Sequence, residues 1–520
     1  MITGIITDIG LSIDINSIIN KYGKSYYCKL LNQLLIVEKH NNKKPKGSPI
    51  INIKGYCFDT TRSIVIVPKL KAIEFLNRGI LNEVKDYDYD SIPINSYESP
   101  VMPLYDYQKK IVEHIIDNYY VNTKTNNICY LQMDTGLGKT RIGCSLINYL
   151  KCSTLIVVPT IAIGEQWIEE CNELYPLMTI GKYSKKVTLG THDVIVIVIN
   201  SLRNKSTNFV KGFGFVIFDE AHEYYTSINR KVLWLIGSIK YVLGLSATPL
   251  ERPDGLDHYV TLHLGKPIKA RDITDIKFTK FLGKVTCIQY YGNTEYTKTV
   301  TLENGMISSI LTINNIISDP YRMEVIVNEI KRLHGDNHGV FVFAEHREFL
   351  TVIKKYLLQV LSDTVIIMEN ELDNEEIYNI ETQNISILKG GISKETLLQT
   401  KKRGKHVVLT TYGYSRRGIS LVEMTSMVLT TPRRNGLRQI IGRILRKGSD
   451  ETIVREIVDI VDMRTVLHTQ FNDRKTVYNE KEFTINYKRI HDTSDLPPPE
   501  PEEPIINIQD IIDSIYDLEM

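Results

Sequence analysis

Short runs that are apolar at every position, not at every second one, constrain this chain most. ICYLQ, TLIVVP, DVIVIVI, FGFVIFD and YVLGLS follow one another between about Pro100 and Lys266, with helical patterns between them. Alternation leaves one face of a strand in water. A run without alternation needs cover on both faces, as strands of a parallel sheet flanked by helices have. A second series, GVFVFA, TVIIM, HVVLTT, SMVLTT and TIVREIVDIV, recurs further along. The economical reading is α/β: two doubly wound parallel-sheet domains in tandem, at 100–266 and 321–490, joined by a connector at 267–320. Because residues 100–266 hold their own sheet, they are expected to fold alone.

Residues 1–99 mix apolar runs such as LLIVE and SIVIVPKL with turn-prone NNKKPKGSP and a helical KAIEFLNRGILNEV, the texture of a small α+β accessory domain. The tail, 491–520, begins with the extended spacer LPPPEPEEP. Beyond it Ile508, Ile511, Ile512 and Ile515 recur at helical spacing, with Asp510, Asp513 and Asp517 off that stripe.

Composition excludes several classes. At 520 residues, 42% hydrophobic and 24% charged, the chain has the makeup of a multidomain folded protein and not of a disordered or collagenous one. Its formal charge of +2 is unevenly spread: nine acids and no Lys or Arg lie from His491 onward, so the rest carries +11. That excess suits a polyanionic partner. Seven cysteines without a C-x-x-C pair indicate neither a disulfide framework nor a zinc site. With no signal-like N-terminus and no apolar run near the roughly 20 residues of a membrane span, the expectation is an intracellular protein with no membrane partner.

Chemistry enters with MDTGLGKT, Met133 to Thr140, set between an apolar strand and a helical pattern. Strand, glycine-containing loop and helix make a phosphate cradle from Met133, Asp134, Thr135, Gly136, Leu137 and Gly138. Lys139 then reaches phosphate oxygens and the Thr140 hydroxyl ligates Mg²⁺. Met133 stands where the strict pattern wants Gly. The strand of FVIFDEAH delivers Asp219 and Glu220 to its C-terminal end, where α/β sheets place ligands; Asp219 suits Mg²⁺ and Glu220 the polarising of water. In QIIGRILR, Gln439, Arg443 and Arg446 fall at i, i+4 and i+7, one face of a helix, and two guanidiniums there call for an anion opposite.

The order GLGKT, VVPT, DEAH, SAT and QIIGRILR resembles that of the superfamily 2 helicases. LYDYQ, with Gln108, resembles their adenine-reading glutamine motif in the form of the DNA-directed branches. VVPT, ending at Thr160, and IGEQW resemble motif Ia. LSATPLERPDGLD carries the coupling residues Ser246 and Thr248 with an extension seen in XPB-like and phage-type DNA helicases. VFVFAEHREFL and LTTYGYSRRGIS resemble motifs IV and V. From about Pro100 to Tyr478 the strings are most similar to the helicases of nucleocytoplasmic large DNA viruses, of the asfarvirus type above all and the poxvirus transcript-release type more distantly. Ser420 departs from the acid that many motif V sequences carry.

The resemblance implies two RecA-like domains, ATP with Mg²⁺, and Arg443 and Arg446 as arginine fingers with Gln439. It also implies phosphate contacts by Thr160, Ser201, Thr410 and Thr411 to DNA, single-stranded or duplex. An ATP-driven DNA helicase or translocase in viral transcription or DNA metabolism is the leading expectation, with the viral RNA polymerase machinery as a partner and virion and host cytoplasm as its location. The alternatives are an RNA helicase, acting on RNA or an RNA–DNA hybrid, and an inactive scaffold.

Overall fold

The structure is a computed structural model that describes residues 1–39, 50–95, 97, 100–121, 127–134, 136–250, 252, 254–275, 281–361, 385–389, 396, 399–400, 402–415, 421–434, 436–445, 450 and 452–491. It divides into two compact units, Met1–Lys277 and Phe278–Met520. TVIIM and the acidic tail lie outside the described residues.

The first unit opens with β1 (Thr3–Thr7), β2 (Gly10–Asp14), β3 (Leu35–Val37), β4 (Asn52–Lys54), β5 (Cys57–Asp59), β6 (Ile64–Val67) and β7 (Glu83–Lys85). Five of these form a sheet in the order β5-β6-β2-β1-β7, and β3 and β4 form a separate ribbon. The parallel sheet follows: β8 (Ile128–Gln132), β9 (Thr154–Val158), β10 (Ile180–Lys182), β11 (Val194–Val198), β12 (Phe215–Phe218), β13 (Tyr241–Ser246) and β14 (Ile268–Lys269). Its order is β10-β11-β9-β12-β13-β8-β14, and every pairing in it is parallel.

Both faces of that sheet are covered, which is why its strands read as unbroken apolar runs. Ile156, Val158 and Ile217 pack with Ile142 and Trp167 of flanking helices. Leu155, Val157 and Val216, one residue out of step, join a cluster that also holds Leu11, Ile13, Val65 and Val67 of the N-terminal sheet. Val232, Leu233 and Ile236, in the helical turns Asn229–Ile236, sit in the same cluster. Residues 1–99 therefore share a core with the first parallel sheet, and residues 100–266 would leave apolar surface bare if cut free.

The second unit holds β15 (Gly283–Tyr291), β16 (Gly339–Ala344), β17 (Ile385–Leu388), β18 (Val407–Thr411), β19 (Met424–Leu429), β20 (Arg455–Asp462) and β21 (Thr484–His491). They form one parallel sheet in the order β17-β18-β16-β19-β20-β15-β21. The stretch read as a connector is thus structural at both ends: β14 completes the first sheet and β15 lies inside the second. All eight residues of β20 are buried although REIVDIVD carries four charges. Asp462 takes two hydrogen bonds from buried Arg322 at 2.6 and 3.0 Å, and Asp459 takes two from Arg474 at 2.8 and 2.9 Å. Glu456 pairs with Arg332 at 2.6 Å, and Arg455 donates to the Ile444 carbonyl at 2.7 Å. Pairing of this kind is the condition on which charge enters a core.

Cys144 and Cys171 form a disulfide between the helices Lys139–Leu150 and Ile161–Leu174. The cysteine spacing gave no sign of it, because the two residues are brought together by helix packing and not by a local motif.

Candidate active site

β8 ends at Gln132 and the helix Lys139–Leu150 begins seven residues later. Between them Gly136 and Gly138 adopt φ of +84° and +81°, left-handed values that favour glycine. A Cβ on Gly138 would fall 2.3 Å from Gln108 Nε2, so this glycine also makes room for the glutamine. Met133 is 1% exposed and belongs to the core, while its N–H donates to the Ser246 carbonyl at 2.9 Å. The departure from Gly at this position is absorbed because the side chain turns into the core. Asp134 pairs with Arg271 at 2.6 Å. Thr135 lies outside the described residues.

Gln108 is buried in the first turn of the helix Asp106–Ile115. Its Oε1 accepts from Tyr105 N–H at 3.1 Å and its Nε2 donates to the Leu137 carbonyl at 2.9 Å. Tyr107 O–H donates to the same carbonyl at 3.0 Å. Both ends of the amide expected to read adenine are bonded to main chain, and one of them grips the glycine loop.

β12 ends at Phe218 and presents Asp219 and Glu220. Asp219 is buried; its Oδ2 accepts from Trp167 Nε1–H at 2.8 Å and its Oδ1 from Glu220 N–H at 2.9 Å. Burial, and then the Glu220 charge, push the Asp219 carboxyl up to about 6, against the pull of Lys139. Glu220 sits at φ +47° with Oε1 4.0 Å from Lys139 Nζ. Its Oε2 makes no hydrogen bond of good geometry, and His222 Nδ1 lies 3.4 Å from it. Lys139 Nζ also donates to the Met133 carbonyl at 3.3 Å. His222 Nδ1 lies 2.9 Å from Ser246 Oγ, which in turn accepts from Thr248 N–H at 3.0 Å, so the DEAH and SAT segments are directly joined.

Buried Asp219 and half-buried Glu220 lie near Lys139, and Thr140 follows that lysine on the same helix. That donor set fits a hard divalent cation. Among the described residues there is no group of three or more His, Cys, Asp or Glu placed to hold a metal. A cation here would complete its shell with water and phosphate oxygens, as Mg²⁺ does.

The residues expected to touch nucleic acid divide. Thr160 is half-buried and caps the helix Ile161–Leu174, its Oγ1 accepting from Ile163 N–H at 3.4 Å, and Ser201 is exposed. Thr410 is fully buried and its hydroxyl donates to the Leu388 carbonyl at 2.7 Å across to β17. It serves the sheet, which corrects its expected role. Thr411 is buried and caps the next turn, accepting from Tyr414 N–H at 3.2 Å. The helix expected to align Gln439, Arg443 and Arg446 spans only Leu437–Ile441. Arg443 N–H and Ile444 N–H then bond three residues back, to Ile440 and Ile441, so a tighter turn replaces the i, i+4 face. Gln439 is half-buried and Arg443 buried; Arg446 lies outside the described residues.

Sequence reasoning gave no role to Trp167, His222, Tyr107 or Arg271. The first three sit inside quoted motifs, but their partners are 52, 24 and 30 positions away, beyond the reach of a local pattern.

Residues 101–251 match the family described as type III restriction enzyme, res subunit. The QP509L protein of African swine fever virus (isolate Pig/Kenya/KEN-50/1950), named as an ATP-dependent RNA helicase, is 39% identical over 401 residues, 74% of either chain. The chain belongs to the superfamily 2 helicases of nucleocytoplasmic large DNA viruses. It is an ATP-dependent helicase. A more distant relative of this helicase is the DNA 3'-5' translocase XPB2 of Sulfurisphaera tokodaii, 26% identical over 407 residues, 74% of this chain and 87% of its own. Among solved structures, S. cerevisiae Dbp5 bound to RNA and ADP BeF3 covers 80% of the helicase and 94% of its own chain at 12% identity with a TM-score of 0.49, too loose a likeness to bear on function. No helix among the described residues is long and apolar enough to cross a membrane.

Proposed function

We propose that this helicase spends ATP to move along DNA, with Lys139 and Glu220 at the reacting phosphate. The observation that carries the reading is the 4.0 Å approach of Lys139 Nζ to Glu220 Oε1, which puts the phosphate-loop cation and the DEAH acid at one spot on the edge of the first parallel sheet. Main-chain N–H groups of residues 136–139 and the N-terminus of the following helix cradle the phosphates, and Lys139 exchanges the Met133 carbonyl for phosphate oxygens. Thr140 and Asp219 would hold Mg²⁺, which would supply charge neutralisation on the transferring phosphoryl group. Glu220 orients the attacking water. Arg443 and Arg446 act as arginine fingers together with Gln439, and Gln108 takes part in adenine selection. Ser246 and Thr248, tied to His222, pass the state of the site onward.

Thr160, Ser201 and the backbone and hydroxyl around Thr411 contact the nucleic-acid backbone. DNA is favoured by the LYDYQ form of the glutamine motif, by the SATPLERPDG extension and by a relative named as a DNA translocase. RNA is the second reading, favoured by the name of the asfarvirus relative. A role in viral transcription, beside the viral RNA polymerase, follows from the resemblance to transcript-release helicases. ATP turnover measured with DNA and RNA of one length and sequence separates the two. DNA should stimulate more, and its effect should weaken as salt rises because phosphate contacts release counterions. Stronger stimulation by RNA overturns the DNA assignment.

A further inference from the structure

We propose that Trp167 is a positioning residue for Asp219: its indole N–H fixes the plane of the carboxylate, and with it the geometry in which Mg²⁺ is taken. The proposal rests on the reading of Asp219 as a metal ligand.

A carboxylate's last torsion is broad, so a buried Asp is oriented only by what bonds its oxygens. Asp219 has one donor on each: Glu220 N–H at 2.9 Å on Oδ1 and Trp167 Nε1–H at 2.8 Å on Oδ2. The first belongs to the adjoining peptide and moves with the strand. The second comes from another element, and Trp167 is itself 1% exposed. An apolar ring would fill that space equally well; what the indole adds is a donor, and a buried indole N–H needs an acceptor.

The ring cannot retreat. It lies against Gly143, where a Cβ would come within 2.6 Å of Trp167 Cη2. Gly143 stands one turn past Thr140 on the phosphate-loop helix, so the indole is wedged between the helix that bears one proposed ligand and the strand that bears the other. One turn further along the tryptophan's own helix, Glu170 lies beside the Thr140 hydroxyl, which lowers a carboxyl that burial raises more strongly. One helix therefore touches both metal-holding residues, as the outer partners of a metal's ligands do.

The test is equilibrium binding of a non-hydrolysable ATP analogue to the full chain, in EDTA and across a Mg²⁺ titration. Trp167→Phe should leave metal-free affinity unchanged and raise the Mg²⁺ needed for half-maximal enhancement by about 10-fold or more. Asp219→Asn should raise it too, and adding Trp167→Phe to Asp219→Asn should do nothing further. Benzothienylalanine placed at position 167 alone keeps the ring's shape and removes only the N–H; it should reproduce Trp167→Phe. If the analogue behaves as the native chain, the effect is packing and the proposal falls. An Asp219→Asn chain with an unchanged Mg²⁺ requirement overturns the metal reading itself. A raised requirement there with none in either position-167 variant overturns the Trp167 proposal alone.

Discussion

Gln108→Glu is a nearly isosteric change whose consequence can be worked from distances. The amide nitrogen lies 2.9 Å from the Leu137 carbonyl, and the variant sets a carboxylate oxygen there, carbonyl against carboxylate, in a side chain 1% exposed. Oε1 keeps its bond from Tyr105 N–H, and Tyr107 O–H still donates to the Leu137 carbonyl at 3.0 Å, so one of two ties on the glycine loop survives. Losing a buried hydrogen bond and leaving a polar atom unsatisfied costs about 1–3 kcal/mol. If the loop must be re-formed at that cost when phosphates bind, nucleotide affinity falls roughly 5- to 150-fold. Calorimetric titration with ATP and with inorganic triphosphate, which has no base, measures it. A clamp on the loop predicts similar losses for both ligands. Loss for ATP with triphosphate binding unchanged would show that Gln108 acts on adenine alone and would falsify the clamp argument.

Lys139→Ala and Glu220→Gln should both abolish turnover, but only the first should weaken ATP binding, because Glu220→Gln leaves the phosphate contacts in place; equal loss in both removes the water-orienting role from Glu220. Lys69, buried and donating to the Ile239 carbonyl at 2.8 Å, has its ammonium pushed down to about 7 by burial. Between pH 7 and the ordinary lysine value the unfolded chain holds a proton that the folded chain does not. Stability therefore rises with pH over that window, by up to about 1.4 kcal/mol for each pH unit crossed, and is flat below it. Melting temperatures of the native chain and Lys69→Met from pH 6 to 9 check this, and identical slopes remove Lys69 as the cause.

The parallel sheets were legible because burial on both faces writes itself into composition, and runs such as TLIVV and VIVIV alternate with helical patterns as βαβ units do. The phosphate loop and the DEAH strand were legible because strand, turn and helix are local. What escaped notice depended on distant partners. Thr410 looks like a hydroxyl for phosphates until Leu388 is seen to accept from it. REIVDIVD reads as a strand, but nothing in it tells that Arg322, Arg332 and Arg474 pair its acids. The motif VI helix was overextended because Gly442 sits in its pattern and the chain tightens there, a detail that side-chain periodicity does not carry. Within the stretch read as a connector, two-residue β14 is too short to announce itself, and β15 joins a sheet through β20 and β21, strands far along the chain that no local pattern links to it.

The shared core of the first unit also bears on how the protein is made. Residues 1–99 emerge from the ribosome before the parallel sheet, yet the surface that Leu11, Ile13, Val65 and Val67 must cover includes Ile236 and Val242, synthesised much later. For that interval the nascent N-terminal sheet presents its greasy side to water. Folding of the motor thus waits on β13, and the early segment is where chaperone dependence and aggregation during expression should concentrate.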